Sequence, residues 1–188
     1  MSKKIFRGDN MDLRITKTRT AVKNAFLELR AEKPVEKITV KELSAMANIN
    51  KATFYLHYKD IYDLSETLER ELIRECLHSV PNACDIFEHV SAFVRSLSNS
   101  VIENEHMIKT LFNGSRSSSF AEIFIDELYK LIGERFPEYT PTLEDRMKMT
   151  FLVEGTFHTF FKYSEHGVDK VLDLLEEVSA GTIVSMRK

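Results

Sequence analysis

Only two cysteines occur in the 188 residues, Cys76 and Cys84, eight positions apart and without a second pair. Neither a disulfide framework nor a tetrahedral metal cluster is therefore expected, and both read as buried thiols. Glycine is scarce, at six residues, and none is arranged as a phosphate-binding loop. A nucleophile elbow and a His-Glu-x-x-His motif are also missing, and the six histidines are scattered, so the chain is not expected to be an enzyme or to carry a cofactor or metal. No stretch reaches about 18 uncharged apolar residues, the length a membrane span needs. Residues 1–10 carry basic side chains but no apolar signal-peptide core, which predicts a cytoplasmic protein with no membrane partner. Low-complexity tracts and long-period repeats are absent too.

What is present is a chain rich in amphipathic helical patterning, 43% hydrophobic and 29% charged, with enough apolar material for a sizeable core. The net charge of −3 hides an asymmetry: residues 1–60 hold 13 of the 26 Lys and Arg but only 7 of the 29 Asp and Glu. A basic end suits a polyanionic partner, although charge alone is equally compatible with a solvated face.

Between residues 17 and 33 apolar side chains fall at Val22, Ala25, Phe26 and Leu29, the i, i+3, i+4, i+7 rhythm of one helix face, and Pro34 ends the run. Thr39 then offers a cap, Glu42 is placed to reach back to it, and Ile38 is placed to pack on Leu43. This capping box with a hydrophobic staple predicts a second helix over about 40–47. Asn48-Ile49-Asn50 interrupts it, because Asn tolerates the left-handed conformation that closes a helix and Asn50 can cap the next one. A third helix over about 51–58 would turn Phe54 and Tyr58 inward. A fourth begins at Asp60 and carries Leu64, Leu68, Leu72 and Leu77 toward Pro81.

Five more helices follow in the pattern: about 83–104, about 105–112, one opened by Ser119-x-x-Glu122 to about 136, and two over about 142–164 and 168–186 parted by His166-Gly167. No segment reads as a strand. The expected fold is all-α with about nine helices, divided into a flexible basic arm (1–16), a helix-turn-helix domain (17–62) and a helical effector-binding and dimerisation domain (63–188). The arm carries Lys3, Lys4, Arg7 and Arg14 and reads as a tail, with a minor-groove contact as the alternative.

A short capped helix, a three-residue turn and a short basic-aromatic helix form a helix-turn-helix, whose second helix places its side chains against base edges in the major groove. Lys51, Ala52, Thr53, Tyr55 and His57 lie on or near the face opposite Phe54 and Tyr58. Thr39, Lys41 and Lys59 stand where the phosphate backbone would pass. Each lysine alone is an ordinary surface charge; their convergence on one face makes the pattern.

The segments Lys37-Ile38-Thr39-Val40-Lys41-Glu42-Leu43 and Ala47-Asn48-Ile49-Asn50-Lys51-Ala52-Thr53-Phe54-Tyr55-Leu56-His57-Tyr58-Lys59-Asp60 resemble the signature of the TetR/AcrR family of transcriptional regulators, over roughly residues 17–68. The resemblance implies a bacterial one-component regulator. Its first helices would bind operator DNA through Lys41, Lys51, Thr53, Tyr55, His57 and Lys59, and the remaining helices would dimerise and bind a small molecule. Four positions depart from the family's habit. Ile61 stands where a phosphate-contacting Lys is common, and Asn48 and Pro34 stand where Gly is usual. Leu56 replaces a frequent Arg, and either touches a thymine methyl or is a variable outer position.

In the C-terminal half, the helix over about 142–164 is apolar nearly all round, which predicts burial on both sides. With the helix over 168–186, whose Ala180 and Gly181 permit close approach, it fits a homodimer surface; packing within one monomer is the alternative. Phe93, Met107, Phe112, Phe124, Tyr129 and Phe157 would wall an effector pocket or serve as plain core. Glu154 and His158, four apart on the apolar helix, would form a self-satisfying pair, orient a ligand or, third, hold a metal. The expected function is a sequence-specific repressor released from a palindromic operator by a small effector. The alternative is a DNA-bound dimer that recruits a partner protein, as an activator or architectural factor, without an effector pocket.

Overall fold

The computed structural model of the chain describes the backbone of residues 6–80 and 89–184, and the side chains of 15–80 and 89–183. Among the described residues every regular element is helical, as the patterning requires. The α-helices are α1 (Phe6–Glu32), α2 (Val40–Met46), α3 (Lys51–Tyr55), α4 (Ile61–His78), α5 (Val90–Glu103), α6 (Glu105–Leu111), α7 (Ser119–Arg135), α8 (Leu143–Tyr163) and α9 (Val168–Val184). The helix read over about 83–104 is seen from Val90, while 81–88, with Pro81 and Cys84, lie outside the described residues. Cys76 is buried, as expected.

Two compact units divide the chain. The first runs to Leu68 and includes Asn113–Ser115; the second comprises Glu69–Phe112 and the residues from Arg116 onward. In the first, the face marked by Val22, Ala25, Phe26 and Leu29 is buried, and Val35, Ile38, Leu43, Phe54, Tyr58, Ile61 and Leu64 complete the core. α1 packs on α2, and α2 on α3. α1 starts well before residue 17: from Phe6 on it is one uninterrupted helix, so the stretch 6–16 expected to be a flexible arm is helical, no proline standing between it and Pro34 to stop the winding. The loop Asn113–Ser115 belongs to this unit: the buried Arg30 guanidinium donates to the carbonyls of Lys33 at 3.4 Å and Asn113 at 3.5 Å, and Ser115 donates to the Glu36 carboxylate.

In the second unit α9 packs on α5 and α8, and α8 on α7. Gly167, at φ 123°, makes the bend between α8 and α9 in a conformation that L residues rarely adopt. A buried ion cluster braces α7 against α4. The Glu127 carboxylate, 3% exposed, accepts from Arg74 Nε at 2.6 Å, Lys130 Nζ at 2.7 Å and Arg70 Nη1 at 3.0 Å. Burial by itself would push the Glu127 carboxyl up, but its hydrogen bonds from Arg74, Lys130 and Arg70 outweigh that and hold it at about 2. Glu69, also buried, is paired with the Arg116 guanidinium, whose Nε lies 2.9 Å from Oε1.

Helix starts show how local chemistry resolves. Thr39 caps α2 by accepting from the Glu42 amide at 3.2 Å, but the reciprocal half of the expected capping box is not made. Lys33, just past the end of α1, draws the Glu42 carboxylate into an ion pair at 2.5 Å instead. At α7 the expected Ser119 cap is not used: Ser118 already has near-helical angles (φ −75°, ψ −17°), so the chain winds in from the turn at Gly114–Arg116 without a side-chain cap. The full capping box lies at α8. There Thr142 Oγ1 accepts from the Asp145 amide at 3.2 Å, and the Asp145 carboxylate accepts from the Thr142 amide at 2.9 Å.

Candidate nucleic-acid interface

The turn between α2 and α3 is set by two asparagines. Asn48 takes φ 53°, the left-handed region, and the chain closes α2 with hydrogen bonds from the Asn48 amide to the Ala45 carbonyl at 3.2 Å and from the Ile49 amide to the Ser44 carbonyl at 2.9 Å. That pair of bonds is a Schellman closure, in which Asn fills the place glycine usually takes. Asn50 then caps α3 by accepting from the Thr53 amide at 2.7 Å. Phe54 is wholly buried and Tyr58 nearly so, their rings 5.6 Å apart, which anchors α3 by its inner face and turns the opposite face to solvent. A buried phenylalanine of this kind is worth about 3–5 kcal/mol against alanine.

On the outward side the structure places Thr39, Lys41, Lys51, Ala52, Tyr55 and Lys59 as exposed residues, with Thr53 and His57 half-buried. All eight belong to the first unit. Thr39 spends its acceptor on the α2 cap, which leaves its O–H for an external oxygen. Lys59 keeps its ammonium in solvent while its amide donates to Asp63 at 2.9 Å, tying the end of α3 to the start of α4. Ile61 is 6% exposed and belongs to the core, so α4 offers no phosphate contact from that position. Two exposed apolar side chains stand out beside the eight: Leu56, 81% exposed at the end of α3, and Tyr62, 51% exposed at the start of α4. Tyr62 has no place in the sequence reading; its signal is an aromatic residue one step after a core position at the start of α4.

A second feature lies wholly inside the second unit. Phe93, Phe120, Phe124, Phe157, Phe160 and Met149 contribute to an apolar cavity of about 90 Å³, and among the described residues its polar side chains are the hydroxyls of Ser98, Thr156 and Ser179. Of the residues expected to wall a pocket, Phe93, Phe124 and Phe157 do so. Met107, Phe112, Tyr129, Glu154 and His158 do not. Phe112 packs edge-on behind Phe120, with centroids 4.9 Å apart, and is core. Met107 sits half-buried on α6, away from the cavity walls. Tyr129 stands beyond the i, i+4, i+8 stripe of Phe120, Phe124 and Leu128 that faces the cavity, and lies 5.4 Å from the Arg146 guanidinium. Burial, with Tyr139 next in weight, pushes its phenol up to about 12. Glu154 and His158 are exposed, because the cavity side of α8 is set by Met149, Leu152, Val153, Thr156 and Phe157, and 154 and 158 fall on the other side. The walls not expected from the sequence include Val94 and Ser98 on α5, Phe120 on α7, Met149 and Phe160 on α8, and Leu175 and Ser179 on α9, whose apolar stripe reads as dimer surface.

Within the single chain α8 is covered on one side only, so the expected burial of its second side would have to come from a partner. Leu143, Met147 and Phe151 are 75%, 65% and 77% exposed. One face of α8 meets α7 and α9, and these three residues form a separate stripe, continued by Glu154 and His158. On α9, Leu174, Val178 and Gly181 are also exposed, and a Cβ added to Gly181 would meet no atom within 4 Å.

No family model matches the chain, and no solved structure matches it. Among curated proteins it is 33% identical over 94 residues to the uncharacterized HTH-type transcriptional regulator YxbF of Bacillus subtilis (strain 168). The match covers 47% of this chain and 25% of that protein, so the chain spans about a quarter of the relative's length. No helix among the described residues is long and apolar enough to cross a membrane.

Proposed function

We propose that the chain is a transcription regulator of the TetR/AcrR type that binds double-stranded operator DNA through α2 and α3, acts as a cytoplasmic homodimer and releases its operator when a small molecule enters the second unit. The observation that carries the DNA assignment is the Asn48–Asn50 turn. It joins two short helices and leaves the outer face of α3 bare between Lys41, Lys51 and Lys59. The name of the Bacillus relative agrees with that reading. In it, lysines neutralise phosphates and set register, while the exposed face of α3 reads base edges. The chain acts by binding rather than by catalysis.

The dimer reading draws on the exposed stripes of α8 and α9, since large apolar side chains left bare on adjoining helices are the pattern of a surface that pairs with a copy of itself. The effector reading draws on the cavity. Its lining favours a small, uncharged, apolar molecule oriented by one or two hydroxyls. A cavity that holds benzene is about 150 Å³, so a larger effector would have to part the helices. That parting is the motion by which occupancy would lower operator affinity, by about 1–3 kcal/mol for a typical coupling. The recruiter reading would give the same exposed stripes to a different protein.

Salt dependence tests the interface. Binding to duplex DNA should weaken steeply as salt rises, and Lys41→Ala should weaken it on every sequence while lowering the slope of log K against log salt by about one. An unchanged slope removes Lys41 from the phosphate contacts.

A further inference from the structure

The outer face of α3 has an unusual chemistry for a surface flanked by lysines. Ala52 and Leu56 lie four residues apart on the side opposite Phe54, and Thr53 borders them. Ala52 is exposed, and Leu56 at 81% is the most exposed of the large apolar side chains described. Thr53 has a hydroxyl, but its hydrogen is already committed: Oγ1 donates to Asn50 Oδ1 at 3.0 Å, inside the cap of the same helix. What Thr53 offers outward is its methyl and an oxygen lone pair. The face therefore presents three aliphatic groups, framed by the exposed ammonium groups of Lys41, Lys51 and Lys59. Leucine left bare in this way contributes nothing to the fold of the first unit, and a positively charged frame selects a polyanion around it.

Resting on the DNA-binding reading proposed above, we infer that Ala52, Thr53 and Leu56 form a methyl-reading surface that selects a pyrimidine carrying a 5-methyl group in the major groove, with thymine as the base recognised. In the major groove thymine differs from the other bases by that methyl, an apolar group that aliphatic side chains desolvate. Arginine or asparagine would make bidentate bonds to purines instead; the three aliphatic groups make none. The half-site should thus contain a thymine whose value lies in its methyl rather than in a hydrogen bond. 5-Methylcytosine presents the same methyl with a different exocyclic group, so the two sources are separable by experiment.

The test uses the full chain and a duplex site selected from a random pool. Each thymine is replaced in turn by deoxyuridine, which deletes one methyl and nothing else. The wild-type protein should lose about fourfold in affinity at one position or two adjacent positions in each half-site, the value of one buried methyl-sized group. Leu56→Ala and Thr53→Ser should bind the thymine site more weakly but no longer distinguish it from the deoxyuridine site. Both should keep their low-salt binding to unrelated duplex, which shows that the fold and phosphate contacts are intact. Placing cytosine and then 5-methylcytosine at the same position identifies the source: a gain on methylation shows that the methyl is read on either base, and no gain assigns the contact to thymine alone. A wild-type protein indifferent to deoxyuridine at every position, or a Leu56→Ala variant with full discrimination, overturns the inference while leaving DNA binding standing. A pool from which no sequence emerges overturns the DNA-reading assignment itself, and this inference with it.

Discussion

At Glu127 a carboxylate sits out of water with three cations on its two oxygens, and the balance between burial and pairing decides the sign of its contribution. Its folded value, about 2, lies below the ordinary 4.5. Its stabilisation is therefore complete above about pH 4.5 and is lost as the pH falls toward 2. Glu127→Gln keeps the volume and removes the charge. Denaturant unfolding should show the variant less stable than the wild type by roughly 3 kcal/mol at pH 7, the worth of such a displacement, with the gap closing by pH 2. A gap that does not depend on pH would assign the loss to packing alone. No periodicity announces this cluster: Arg70 and Arg74 share a helix face in the sequence, but that Glu127 lies across from them depends on how α7 packs on α4. Burial of Phe54, by contrast, follows from its own one-turn spacing to Tyr58.

Among the elements, the α2–α3 turn was legible because its chemistry is local. Asn48 in the left-handed region and Asn50 as a cap are both read from residue type and position alone. Asn48→Gly should leave stability nearly unchanged, since glycine adopts φ 53° without strain, whereas Asn48→Val should cost about 1–2 kcal/mol. Thermal unfolding of the two variants checks this, and equal losses would mean that the Asn side chain rather than its backbone angle holds the turn. The misread elements failed where a tertiary partner intervened. Glu42 left its cap for Lys33, which sequence places nine residues away. Apolar periodicity marks only the packed part of a helix, so the winding of residues 6–16, which has no such signal, begins α1 earlier than the pattern predicts.

For the whole molecule, amphipathic patterning specified nine helices among the described residues and their order, but not which apolar residues a single chain leaves uncovered. α8 is apolar on nearly all sides; the sequence does not say that Met149 and Phe160 go inward while Leu143, Met147 and Phe151 stay bare. Pocket residues were half legible for the same reason: an aromatic at helical spacing faces a cavity or a neighbour according to what packs across from it. If the bare stripe is a self-association surface, Phe151→Asp should leave the folded chain intact and convert a dimer into a monomer by light scattering, with operator affinity falling as the second reading helix is lost. A dimer that survives the substitution would move the interface elsewhere. The central claim is that α3 reads DNA sequence, held twice about one helical turn apart by dimerisation. It is tested most directly by selecting bound duplexes from a random pool at near-physiological salt. The account predicts an inverted repeat with half-site centres about 10–10.5 base pairs apart, or a multiple of that; bound DNA with no enriched sequence would contradict it.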